Sequence, residues 1–274
     1  MNREKIVRAF ENYVDSYDLN DPNIYLKYKH TYKVAKNCEI IANSLHLSKE
    51  DQDLAWVIGM LHDIGRFEQL KQFHTYVDAV SIDHAMFGAD LLFKEGLIFQ
   101  FVENPQWYDS IEKAIRFHSL YRIPEDLCPR DQTFCQIIRD ADKVDIFRAN
   151  YETGMSVIYG VTEEALRQST LTKEVTDVFL EYRAIPRNMK KTVADHLVGH
   201  IALTFELVYP KSRELTFEQG YLWKLLDTPF DNKETAKFVC YMKKIIINWY
   251  KNNGLCRRSD DGFSCKEHDK WNTW

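Results

Sequence analysis

Apolar residues return every three or four positions along most of this chain, and only ten glycines and seven prolines interrupt 274 residues. That period paints one apolar stripe along each helix and does not fit the two-residue alternation of a half-buried strand. An all-α fold follows, with helices expected over roughly 2–18, 27–46, 50–64, 79–95, 107–118, 131–150, 161–182, 190–208, 215–227 and 232–251. Breaks are expected at Pro22, Gly65, Gly96, Pro105, Pro124, Pro129 and Pro186.

A hydrophobic fraction of 45% supports a substantial core. Two parts are expected, a helical core over 1–150 and a C-terminal helical extension over 151–274 packed on it, or one domain containing both. The segment YETGMSVIYG, 151–160, is the candidate transition.

A net charge of −5 without a basic run gives no electrostatic reason to expect nucleic acid or membrane as partner. The start MNREKIVRAF lacks the apolar stretch of a secretory signal, and runs such as LAWVIGML are too short to cross a bilayer, so a cytoplasmic location is expected. Six cysteines without a CxxC pair indicate neither a disulfide framework nor a thiolate zinc site. Cys256, Cys265 and His268 cluster near the end of the chain but lack a fourth ligand at familiar spacing, and the late aromatics Phe263, Trp271 and Trp274 could dock that tail.

Histidine placement is the informative departure from this pattern. At about 100° per residue, His30 shares a face with Val34, Ile41 and Leu45, His84 with Val80, Phe87 and Leu91, and His118 with Ile111, Ala114 and Ile115. Asp142 shares a face with Cys135, Ile138 and Ile146, and the doublet His62–Asp63 ends the run LAWVIGML. A lone buried histidine needs only a hydrogen bond. A buried carboxylate costs several kcal/mol unless it meets a cation, a metal or several donors. One metal centre satisfies both carboxylates and all four imidazoles together.

The order His30, His62–Asp63, His84, His118, then Asp142 within IIRDADKVDIF resembles the HD-domain superfamily of metal-dependent phosphohydrolases, over roughly residues 25–150. The resemblance implies an HD-domain metal-binding core in which His30, His62, Asp63 and Asp142 bind a first metal. His84 and His118 add a second, with Asp63 shared between the two ions. The implied cofactor is one or two divalent ions, with Fe, Mn, Co, Ni and Zn all compatible with imidazole and carboxylate ligands. No GYP triplet and no HHExxH-type run follows the doublet, which sets the chain apart from the cyclic-dinucleotide phosphodiesterase branch.

A phosphate substrate also needs positive charge, and Arg66 in GRFE, Lys143 and Arg148 are the nearest candidates. Gly65 is expected to turn the chain so that Arg66 faces the substrate. His74 is a candidate proton donor. Asp145, Glu68 and Asp78 are candidates for orienting ligands or water, with Asp78 alternatively capping the helix of His84 and Glu68 alternatively pairing with Arg66. Tyr121 and Arg122 are further possible substrate contacts. His196 and His200 have the i, i+4 spacing of a zinc pair but no third ligand, so packing is expected, and His46 suits a helix C-terminus.

The implied function is hydrolysis of a nucleotide or another small phosphorylated metabolite. The same ligand set also resembles the HD-domain mixed-valent diiron oxygenases. A metal-dependent sensing module without turnover is the third reading.

Overall fold

In the computed structural model the chain is described over residues 1–255, and every element among these residues is helical. Cys256, Phe263, Cys265, His268, Trp271 and Trp274 lie outside the described residues. The helices are α1 (Arg3–Val14), α2 (Pro22–Ser44), α3 (Lys49–Leu61), α4 (Ile64–Phe73), α5 (His84–Phe93), α6 (Ile98–Phe101), α7 (Tyr108–Phe117), α8 (Pro129–Thr153), α9 (Met155–Ile158), α10 (Glu163–Gln168), α11 (Lys173–Leu180), α12 (Val193–Ala202), α13 (Pro210–Gln219), α14 (Tyr221–Leu226) and α15 (Lys233–Asn252). No helix among the described residues is long and apolar enough to cross a membrane.

Two compact units divide the chain. The first comprises Met1–Ala149 with Leu207–Ser212, and the second Asn150–Glu206 with Arg213 onward. The core of the first unit is built on α3, which is buried continuously from Leu54 to Leu61. A helix wrapped on all sides needs apolar residues all round rather than one stripe, and LAWVIGML supplies them. It packs against α2, α1 and α7, whose buried residues include Val34, Ala35, Cys38 and Ile41, Ile6 and Phe10, and Ile111 and Ile115 respectively. Each such fully buried aliphatic or phenyl side chain contributes about 1.5–3 kcal/mol. Gly59 sets the α2–α3 approach, because a Cβ there would fall 2.5 Å from Ala35 Cα.

α4 is a helix that the periodicity assigned to a turn. Gly65 lies in its first turn with no left-handed φ, so it does not redirect the chain. Its missing side chain instead admits α5: a Cβ on Gly65 would stand 2.7 Å from both Gly88 N and His84 O. The reversal expected at Gly65 comes two residues earlier, where α3 ends at Leu61 and Asp63 serves as N-cap of α4.

Other boundaries also moved for identifiable reasons. The helix expected over 79–95 starts at His84, because Asp83 caps it by accepting from Ala85 N and Met86 N at 3.0 Å each. Val80, expected on the face of His84, belongs to a separate 3-10 turn and is 75% exposed. The expected helix 161–182 divides into α10 and α11, with Thr162 and Thr172 as the two N-caps. Gly220, at φ 74°, divides α13 from α14.

The second unit packs α12 residues Ala194, Leu197, Val198 and Ile201 against Val175, Val178 and Phe179 of α11 and Leu222 and Leu225 of α14. A capping box starts α12, with Thr192 accepting from Asp195 N and Asp195 from Thr192 N. In the first unit, the fully buried carboxylate of Asp140 on α8 accepts from Val208 N at 3.0 Å, Tyr209 N at 2.9 Å and Gln136 Nε2 at 2.8 Å. A late stretch of the chain is thereby fastened to the helix that carries Asp142.

Candidate metal centre

Six helices and their ends bring His30, His62, Asp63, His84, His118 and Asp142 together. His30 projects from α2, His62 and Asp63 occupy the junction of α3 and α4, His84 opens α5, His118 caps the end of α7, and Asp142 lies on α8. All four imidazoles and Asp63 are buried, while the Asp142 side chain is 20% exposed.

Each imidazole is held from outside through Nδ1. His62 Nδ1 donates to Gly59 O at 2.8 Å and His118 Nδ1 to Ile115 O at 2.7 Å. Both acceptors are carbonyls left unpaired in the last turn of a helix. His30 Nδ1 lies 2.7 Å from Asp145 Oδ2, and His84 Nδ1 lies 2.8 Å from Asp78 Oδ2. In the neutral rings these acceptors hold the proton on Nδ1 and leave Nε2, turned toward the cluster, as the ligand atom, the usual outer support of a metal-binding histidine.

Asp63 joins the four nitrogens into two sets. Its Oδ2 stands 3.6 Å from His30 Nε2 and 3.5 Å from His62 Nε2. Its Oδ1 stands 3.5 Å from His84 Nε2 and 3.8 Å from His118 Nε2. Within each of the sets His30, His62, Asp63 and Asp63, His84, His118, the ligand atoms lie within 4.8 Å of one another. Asp142 borders the first set, with Oδ1 3.0 Å from His30 Nε2 and 3.9 Å from His62 Nε2.

The donor chemistry fits cations. His84 Nε2 and His118 Nε2 face each other at 3.1 Å although both rings already spend their proton on Nδ1. Two opposed lone pairs at that distance repel unless a cation lies between them. Burial pushes both pKa values down to about 4 and so disfavours a bridging proton. Buried His62 Nε2 also lacks a hydrogen-bond partner, and His30 Nε2 has only the Asp142 carboxylate beside it, at 3.0 Å. Metal coordination satisfies such orphaned nitrogens at no cost in protonation.

Burial also lowers the pKa of His62. His30 differs: burial and the Lys27 charge press it down, but Asp142 and Asp145 more than offset them and hold it up at about 9. Burial raises the Asp63 carboxyl, yet Lys27 first and then His62, His84 and Arg66 hold it well below the usual range. Asp142 is held below that range against burial, chiefly by His30.

The outlying candidates divide clearly by position. Asp145 accepts from His30 and also pairs with Arg148 Nε and Nη2, both at 2.7 Å. Asp78 accepts from His84 and from Arg66 Nη1 at 2.7 Å, while Asp83 does the helix capping. Arg66 Nη1 further donates to Gln69 Oε1 and Tyr76 O. Its guanidinium thus lies between the outer support of His84 and the cluster itself, with Nε 3.8 Å from Asp63 Oδ1.

Arg148 is likewise engaged by Asp145, and buried Lys143 donates to Arg139 O at 3.3 Å. Glu68 accepts from Tyr17 Oη and Gln72 Nε2 rather than pairing with Arg66. His74 is the exposed, left-handed C-cap of α4, and no described hydrogen bond or ion pair joins it to the cluster. Tyr121 and Arg122 are exposed. In the second unit, His196 stacks on Tyr159 at 4.3 Å.

Lys27 is the residue missed by sequence reading. Its Nζ lies 2.6 Å from Asp63 Oδ2. The available signal was its place three residues before His30, on the same side of α2.

No curated protein and no solved structure matches the chain. The family model described as HD domain matches residues 28–146, a span holding all six clustered residues together with Asp78 and Asp145. This domain belongs to a superfamily of metal-dependent hydrolases. Residues 28–146 match the HD domain, and the His/Asp cluster they hold is compatible with an HD metal site.

Proposed function

We propose that this protein is a metal-dependent phosphohydrolase acting on a nucleotide or another small phosphorylated metabolite. One observation carries the reading: the two oxygens of Asp63 face separate histidine pairs, as a carboxylate shared by two cations must. In this reading His30, His62, Asp63 and Asp142 hold one ion, and Asp63, His84 and His118 hold the other. Divalent ions bound there would supply a lowered water pKa and a Lewis-acidic contact for a phosphoryl oxygen.

The protein's own residues do the positioning. Asp145 and Asp78 fix the rings of His30 and His84 through Nδ1, while the carbonyls of Gly59 and Ile115 fix His62 and His118. Arg66 holds Asp78 in place. Asp142 and Lys27 keep partial exposure beside the buried cluster, so a substrate oxygen reaching it on that side would meet both signs of charge.

The test is metal analysis of protein purified with and without oxygen, followed by a phosphate-ester panel with added Mn²⁺, Co²⁺, Ni²⁺ or Fe²⁺. Phosphate release that is lost in Asp63→Asn supports the proposal. Iron with a mixed-valent spectrum, oxygen uptake and no phosphate release would overturn it in favour of an oxygenase. Full metal occupancy without turnover on any ester would favour a sensing module.

A further inference from the structure

The basic side chain closest to Asp63 is Lys27, with Arg66 Nε farther off at 3.8 Å from Oδ1. Its Nζ lies 2.6 Å from Oδ2, and its side chain retains 17% exposure against 3% for Asp63. The ring of Tyr76 lies 5.6 Å from Lys27 Nζ and 5.6 Å from the Arg66 guanidinium carbon. Tyr76 Oη donates to Asn23 O in the first turn of α2, which ties that ring to the helix bearing Lys27. The ammonium is thus carried between the carboxylate and solvent, over an aromatic face.

The other cations anticipated for substrate binding have protein acceptors. Arg66 is held by Asp78, Gln69 and Tyr76 O, Arg148 by Asp145, and Lys143 by Arg139 O. Lys27 has a carboxylate that also belongs to the His30–His62 set. A divalent ion held by that set would take up the charge of Oδ2 and repel a neighbouring ammonium. The ammonium so released is free to take another anion, and the anion expected beside the ion is the substrate's phosphoryl group.

We propose that Lys27 is an anion-binding residue of the site, exchanging Asp63 for a phosphoryl oxygen when the site carries its ion. This rests on the phosphohydrolase reading for the identity of the anion. Lysine suits the exchange, being a compact charge on a flexible stem with three rotatable donors.

The test uses calorimetric titration of the full-length protein with Mn²⁺, then of the Mn²⁺-loaded protein with inorganic phosphate. Wild type, Lys27→Met and Lys27→Arg are compared, with Lys27→Gln replacing the methionine variant if circular dichroism shows that it does not fold. Unchanged Mn²⁺ stoichiometry is expected throughout, with Mn²⁺ affinity in Lys27→Met equal to wild type or tighter. Phosphate affinity should fall about ten- to hundredfold in Lys27→Met and be largely kept in Lys27→Arg.

Wild-type phosphate affinity in the folded neutral variant would overturn the proposal. Loss of Mn²⁺ binding in it would also overturn it, making Lys27 a support for Asp63. Ester hydrolysis by wild type separates the two claims. Turnover with Lys27-independent phosphate binding sinks only the lysine's role, whereas Lys27-dependent phosphate binding without turnover on any ester sinks the hydrolase reading alone. Mn²⁺-loaded wild type that binds no phosphate rejects the exchange outright.

Discussion

Replacing Gly65 by alanine tests the fold and the candidate centre together. The added Cβ would stand 2.7 Å from Gly88 N, 2.7 Å from His84 O and 2.8 Å from Gly88 Cα, about 0.7 Å short of ordinary contact at 3.4 Å. All three neighbours are backbone atoms, so no flexible side chain can yield and α4 and α5 must separate. Overpacking of this kind costs about 1–3 kcal/mol, and rigid neighbours place the expected loss near the top of that range. At about 2–4 °C per kcal/mol for a protein of this size, melting should fall by roughly 6–12 °C.

The same separation moves His84 away from Asp63, and ligand distances tolerate only about ±0.2 Å. If each set holds an ion as proposed, Asp63, His84, His118 should therefore lose its ion while His30, His62, Asp63 keeps one, which Mn²⁺ titration reads as reduced stoichiometry. Gly88→Ala is the milder control, since its nearest backbone contact would be 3.0 Å. Wild-type melting and stoichiometry in Gly65→Ala would refute the argument that this glycine exists for close helix approach.

The metal-free protein should show a stability optimum near pH 6.5. His84 and His118, with folded pKa values of about 4, resist protons that the unfolded chain accepts near 6.5, so stability is lost as pH falls from 6.5 toward 4. Each contributes on the order of 2–3 kcal/mol across that window. His30, raised to about 9, gives the opposite slope, with stability lost as pH rises from 6.5 toward 9. Urea midpoints across pH 4–9 test this, and a flat profile contradicts it. Asp145→Asn weakens the acceptor that orients His30, so metal affinity should fall about 10–100-fold in competition with a chelating indicator. An unchanged affinity would show that the His30 ring is fixed by packing alone.

Sequence reading worked where a residue type contradicted its surroundings. His30, His62, Asp63, His84 and His118 sit among apolar neighbours in the chain and are buried in the fold. It failed where one residue type serves two physical ends. A glycine can free the backbone or remove a side chain, and Gly65 does the second. Reading it as a turn hid α4, even though Phe67 and Leu70 at i, i+3 spacing are both buried there. Lys27 was passed over because a helical lysine ordinarily reaches solvent, and only coordinates show that its ammonium meets Asp63. Arg66 was assigned outward for the same reason that α4 was missed: a residue after a turn projects freely, whereas one in a helix's first turn is held by Asp78.

The buried carboxylate of Asp140 has a consequence for anyone wishing to express the HD domain alone. Cutting the gene after codon 149 would keep the whole family match and the first unit's main segment, yet it would delete Val208 and Tyr209, whose amides satisfy that carboxylate two residues before Asp142. The excised fragment would carry a desolvated charge missing two of its donors in the helix that completes the cluster. A usable minimal version must therefore retain residues 207–212, by a grafted linker or by circular permutation, because the shortest contiguous domain in sequence is not the smallest self-sufficient one in space.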